Sequence, residues 1–239
     1  MSADELPIVL TATIIPNVTG AVSVDPAARL AEYVQVLQFC QQIAPVIFLE
    51  NSSYPLEQHP EFAPSPRLQV HRFAPSTKPE RGKGYQEFEM IDAWLARESR
   101  PPVRWLKLTG RYQLRNLAAL LAECRRETVS PLLIDRLQKQ RFARTHFFSP
   151  TTEFYRQWIK GLYLECDDRK KEWIEYVLFR RLEKVPAGQV RIFKTQPDFQ
   201  AKLGSTGADL PSGSFQWLAK QCLRRFNYLV NNQKLLYVR

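Results

Sequence analysis

Lys107, Thr109 and Arg111 alternate along the stretch WLKLTGRYQL, residues 105 to 114, so they share one face if that segment is extended. The apolar run Val103, Trp105, Leu106 and Leu108 reads as a buried strand, and it stops abruptly at Thr109-Gly110-Arg111-Tyr112. A forked guanidinium, a point-charge ammonium and a hydroxyl at a strand end suit an anion, above all a phosphate. Gly110 would let the backbone approach that anion closely. A second set of the same character is RGKG, residues 81 to 84. It stands where a helix begins, so Lys83 and the N–H groups around Gly84 can also meet a phosphate. It is not a P-loop, because GxxxxGK[ST] is absent. Two further strand ends carry polar groups: Pro16-Asn17, and Glu50-Asn51-Ser52-Ser53.

The elements that must position these groups are legible in the first half. LPIVLTATII (6–15) is a β-branched run stopped by Pro16. Asp25-Pro26 is an N-cap and first helical residue, followed by Leu30, Tyr33, Val34, Leu37 and Cys40 at helical spacing. VIFLEN (46–51) and LQVHRF (68–73) are strands, and YQEFEMIDAWLARES (85–99) is a helix burying Phe88, Ile91, Trp94 and Leu95. The order β-α-β-β-α-β predicts an α/β, mostly parallel sheet with flanking crossover helices. In such a sheet the strand ends gather along one edge, where a crevice forms. The second half is more mixed. It predicts helices over 114–124, 151–164, 172–184 and 215–231, and strands over 132–135, 144–149 and 190–195; residues 204 to 214 form a low-complexity loop. No repeat or linker interrupts the chain, which reads as one domain over 1–239, with a binding half to about 125 and an irregular, more helical second half.

Composition excludes several classes. With 239 residues, 44% hydrophobic and 12% aromatic, the chain is a folded protein with a sizeable core. Its formal charge of +10 favours anionic partners without choosing among them. The four cysteines (40, 124, 166 and 222) form no CxxC, and the three histidines are scattered, so thiols are expected reduced and no zinc site is legible. The N-terminal stretch lacks a basic signal-peptide region, and no apolar run approaches the roughly 18 residues of a membrane span. These features predict a cytoplasmic protein, with peripheral contact at the inner membrane as an option.

The order of the motifs resembles the nucleotide-sugar half of a glycosyltransferase of the GT-A fold, over about residues 6 to 185. VIFLENSSY resembles the strand ending in an acidic residue that contacts the base. RGKGYQEFEMIDAWL resembles the Gly turn and helix beside the sugar-nucleotide, WLKLTGRYQL takes the place of the strand that carries DxD, and IEYVLFRRL resembles the later helix with a catalytic acid. ENS, GKG and KLTGRY together look most like bacterial enzymes of capsule or O-antigen synthesis. The resemblance implies a GT-A-like fold and transfer of a hexose, with galactose a candidate, from a nucleotide-sugar, UDP-linked by default. The acceptor would be a growing surface polysaccharide or lipid-linked glycan. It implies donor contacts from Thr13, Pro16, Asn17, Glu50, Asn51, Ser52, Lys83, Gly84, Glu87, Lys107, Thr109, Gly110, Arg111 and Tyr112.

The departure is chemical: no DxD exists, and Asp167-Asp168 lies far past the expected strand. No metal or other cofactor is therefore expected, with Arg111 standing in for the metal at the leaving diphosphate. A base must deprotonate the acceptor. Glu175 is the first choice by resemblance, with Asp167, Asp168, Glu165 and Glu87 as alternatives. Thr152, Tyr155 and Asp167 are candidates for shaping the acceptor site. The basic amphipathic helix 215–231 can dock on an anionic membrane or simply pack on the domain. Two competing readings are a basic nucleic-acid-binding protein and a non-catalytic partner in a polysaccharide assembly complex. No nucleic-acid motif is legible, so nucleic acid is not an expected partner.

Overall fold

A computed structural model describes residues 5–17, 25–200 and 215–236. In chain order the elements are β1 (Ile8–Ala12), α1 (Pro26–Ile43), β2 (Val46–Glu50), β3 (Leu68–Arg72), α2 (Lys83–Arg97), β4 (Leu106–Thr109), β5 (Gln113–Leu114), α3 (Leu117–Arg126), β6 (Leu132–Leu137), β7 (Phe142–Pro150), α4 (Thr152–Phe154), α5 (Ile174–Leu182), β8 (Val190–Arg191), β9 (Phe199–Gln200) and α6 (Phe215–Val230). The predicted alternation of the first half is observed. Asp25 caps α1 by accepting from the N–H groups of Ala27 and Ala28, with Pro26 at the first helical position.

Seven strands form one sheet in the order β3-β2-β1-β4-β7-β6-β8, running through both halves of the chain. β1, β2, β3 and β4 are mutually parallel, as are β6 and β8. β7 is antiparallel to both β4 and β6. The fold class is therefore the expected one, a mostly parallel α/β sheet flanked by helices. The antiparallel strand has a local cause: only four residues separate β6 from β7, with Arg141 at φ 51°, and so short a connection can make only a hairpin.

Side-chain alternation places helices on both faces. From β1, Ile8, Leu10 and Ala12 join one core with α1 and α3, while Val9 joins the other with α2 and α5. In β4, Leu106 and Leu108 point to the first core, which sends Lys107 to the α2 face. The chain leaves β1 toward β2 and β3 and then returns to β4 on the other side. β1 and β4 thus flank a topological switch point, where a crevice opens beyond the strand ends.

The second half departs from the sequence reading in several places. The helix expected over 151–164 breaks into α4, capped by Thr151, a wide turn over Tyr155–Ile159 and a tight one over Leu162–Glu165, with Gly161 at φ 77° between the turns. The strand expected over 190–195 is only two residues long, and β5 with β9 adds a small ribbon with no clear signal in the sequence. The loop expected over 204–214 lies outside the described residues.

Candidate functional site

A cavity of about 420 Å³ opens at the ends of β1 and β4. Its lining includes Thr11, Thr13, Pro16, Asn17, Arg29, Tyr33, Lys83, Gly84, Gln86, Glu87, Thr109, Arg111, Tyr112, Thr145, His146 and Glu175. Pro16-Asn17, the RGKG turn, Thr109–Tyr112 and Glu175 come from separate segments and converge on one place. The volume falls in the usual range for a small-molecule site, about 300–1,000 Å³.

Three cations share the cavity. Lys83 comes from the first turn of α2, Arg111 from the end of β4 and Arg29 from the first turn of α1. Burial lowers the Lys83 pKa, and the neighbouring charges of Arg29 and Arg111 lower it further, against a weaker pull from Asp168. Arg29 donates from Nε to the Thr13 carbonyl at 2.9 Å, and Tyr33 hydroxyl bonds the Thr13 N–H at 3.1 Å, so α1 fixes the end of β1. Arg111 pairs with Glu32 at 3.1 Å. The three cations repel one another, as the lowered Lys83 pKa reflects, and an anion placed among them would relieve that repulsion. Sequence reading missed Arg29. The available signal was an arginine beside Leu30 on the face of α1 that carries Tyr33.

Two carboxylates face the same cavity in different settings. Glu87 takes three bonds at one oxygen: from Thr11 hydroxyl, from Thr109 hydroxyl at 3.1 Å and from Lys107 at 2.7 Å. Glu175 accepts from Thr145 hydroxyl at 3.1 Å. Burial raises the Glu175 pKa, and the negative charge of Glu87 adds to the rise, partly offset by Thr145 and Lys107. Tyr112 and His146 form an aromatic wall, with ring centroids 5.4 Å apart and Phe199 against both. His146 is kept neutral: burial and the charges of Arg144 and Lys107 push its pKa down to about 3. Thr145 and His146 reach the site because β7 runs antiparallel beside β4, and the sequence offered no signal for that.

Several expected contacts lie elsewhere. Lys107 is fully buried, and its three donors go to Glu87, to Thr109 hydroxyl and to the Thr145 carbonyl, the last two at 2.8 Å. It holds Glu87 in place and has no donor left for a phosphate. Gly110 does make a close approach possible, but to protein: a Cβ there would meet the Tyr33 ring at 2.9 Å and the Thr11 carbonyl at 3.0 Å. Gly110→Ala is therefore expected to lower stability by about 1–3 kcal/mol, read as a shift in the denaturant midpoint.

The ENS motif is buried and lines no part of the cavity. Glu50 accepts from Ser52 hydroxyl, from Ser52 N–H at 2.9 Å and from Ile14 N–H at 3.3 Å, with Arg72 at 3.6 Å. Asn51 accepts from Thr13 hydroxyl at 2.6 Å and donates to the Gln86 carbonyl at 3.3 Å. The motif ties β2 to the end of β1 and to α2, and so supports the site from behind.

The RGKG glycines also serve packing. Gly82, at φ 101°, leaves room for the Asp168 carboxylate, which accepts from the Lys83 N–H. Gly84 leaves room for Ile174. The expected acceptor residues do not line the cavity. Thr152 bonds Trp105 and the Pro102 carbonyl, Tyr155 donates to Asp92 at 2.8 Å, and Asp167 pairs with Arg169 at 2.9 Å. Among the described residues, no group of three or more His, Cys, Asp or Glu side chains is placed to hold a metal ion.

No family model matches the chain, and neither does any curated protein. Solved structures do. Rv0371c from Mycobacterium tuberculosis H37Rv shares 14% identity over 81% of this chain and 89% of its own, with a TM-score of 0.47. The inositol-1-phosphate CTP transferase from T. maritima shares 12% over 80% and 85%, at 0.47. Mouse xyloside xylosyltransferase 1 shares 10% over 79% and 84%, at 0.47. The last two are named as transferases. At such scores the likeness carries no argument of its own, and the fold rests on the sheet order described above.

Proposed function

We propose that the chain is a glycosyltransferase that moves a hexose from a nucleotide-sugar, UDP-linked as first candidate, to a glycan or lipid-linked glycan of a bacterial surface polysaccharide. The observation that carries the reading is the cluster Arg29, Lys83 and Arg111 sharing one cavity with two carboxylates. In a single displacement, the acceptor hydroxyl gives its proton to Glu175 and its oxygen bonds to the anomeric carbon. The bond from that carbon to the diphosphate breaks, and the nucleoside diphosphate leaves with the electron pair. Lys83, Arg111 and Arg29 meet the developing negative charge, so the step is proposed to need no divalent metal. Glu87, clamped by Lys107, is assigned to a hydroxyl of the donor sugar, and Tyr112 to the donor's ring faces.

Glu175 suits a base because its raised pKa brings it nearer neutrality. Activity should therefore fall as pH drops through that raised value, above the ordinary carboxylate pKa of about 4.3. Stability runs the other way. A group whose folded pKa is raised contributes stability that is complete below about pH 4.3 and lost as pH rises through the folded value. Wild type should thus lose stability relative to Glu175→Gln as pH rises from about 4.3 through the raised folded value, as denaturant unfolding would show.

The direct test is a panel of nucleotide-sugars with glycan acceptors, assayed for nucleoside diphosphate release with EDTA and again with manganese. Acceptor-dependent release in EDTA is expected. Pyrophosphate from a nucleoside triphosphate and a sugar phosphate would instead identify a nucleotidyltransferase. Inactivity with all donors, together with steeply salt-dependent binding to oligonucleotides, would favour the nucleic-acid reading.

A further inference from the structure

α6 is an inside-out helix. Among residues 218–230 the buried side chains are polar: Arg224 and Asn227 are 3% and 2% exposed. Arg224 forms a two-pronged ion pair with Asp135 of β6, at 2.8 and 2.7 Å, and donates to the Phe193 carbonyl and to Gln196. Asn227 bonds Leu236 N–H and the carbonyls of Asn231 and Lys234. Among the described side chains, five large apolar ones face outward: Leu218, Leu223, Phe226, Leu229 and Val230 are 54% to 84% exposed. At 100° per residue they fall, with Cys222, in one arc of about 140°. Lys220 and Arg225 are exposed on its two borders.

We propose that this outward face of α6 docks the protein on an anionic lipid bilayer, the helix lying in the plane of the interface. A continuous apolar arc bordered on both sides by cations is the arrangement that enters the acyl boundary while holding lipid phosphates. The overall charge of +10 supports the same partner. It opposes the main alternative, a second copy of the chain, because pairing two such faces would bring four like charges together. Arg224 anchors the helix to the sheet, so the face belongs to the folded protein. The inference is independent of the proposed reaction, since docking needs neither donor nor acceptor.

The test uses the full chain without nucleotide, sedimented with vesicles of phosphatidylcholine alone and of phosphatidylcholine with phosphatidylserine. Cys222 is exposed and the other three cysteines are buried, so an environment-sensitive dye on Cys222 gives a second readout. The expected result is binding at least about tenfold stronger to the anionic vesicles, weakened by salt, with a blue shift of the dye. Phe226→Ser with Leu229→Ser should abolish it, and Lys220→Gln with Arg225→Gln should remove the preference for anionic lipid. Thermal unfolding would confirm that both variants fold. Equal binding to both vesicle types would overturn the electrostatic half of the proposal. Absence of binding by wild type would overturn it altogether, and a dimer seen by sedimentation would then name the occupant as a second copy.

Discussion

Replacing Glu175 by glutamine is expected to lower turnover by about 10²–10⁴-fold, with little change in nucleotide affinity. Glutamine keeps the shape of the side chain and can still accept from Thr145, which donates to the carboxylate at 3.1 Å. It cannot take a proton. The variant should also be at least as stable as wild type near neutral pH, because it removes a carboxylate whose ionisation burial disfavours. Steady-state kinetics beside denaturant unfolding would separate the two effects. A variant that turns over normally would move the base to Glu87, the other carboxylate in the cavity.

Arg111→Ala is expected to cost about 10²–10³-fold in kcat/KM, the scale of losing one preorganised donor at a developing oxyanion. Arg111 is partly exposed, and its one ion-pair partner among the described residues is Glu32, near the surface. Losing so exposed a pair costs little, about 0–1 kcal/mol, so the fold should survive. Lys83→Met should act in the same direction. If the two cations serve the same diphosphate, the double variant should lose less than the product of the single effects. A donor still used at the wild-type rate by Arg111→Ala would remove the arginine from the chemistry.

The first half of the fold was legible because its signals are local. Asp25-Pro26 starts a helix by its own chemistry, and the β-branched run before Pro16 has no other reading. Motif order also singled out residues that share a cavity: Thr13, Asn17, Lys83, Glu87, Thr109, Arg111, Tyr112 and Glu175 come from distant segments and line it together. What the sequence could not show was which polar residues face that cavity and which hold its walls. Lys107 and Arg111 alternate in a segment that reads as one strand, yet β4 ends at Thr109 and the chain turns there, so Lys107 is sealed inside against Glu87 while Arg111 lines the cavity. Glu50 and Gly110 look like ligand contacts at strand ends, but their partners are the protein's own backbone and the Tyr33 ring. These distinctions depend on long-range packing. So does the arrival of His146, which needs the antiparallel placement of β7 beside β4.

In the proposed reaction Arg29, Lys83 and Arg111 form a diphosphate site that works without a metal. Thermal unfolding with UDP, CDP and GDP, each in excess EDTA, tests it most directly. A nucleoside diphosphate at about 100 times its dissociation constant should stabilise the folded state by about 2.7 kcal/mol. Stabilisation by one of them in EDTA is expected, and Arg111→Ala should lose it. No stabilisation without manganese, or a shift that persists undiminished in Arg111→Ala, would contradict it.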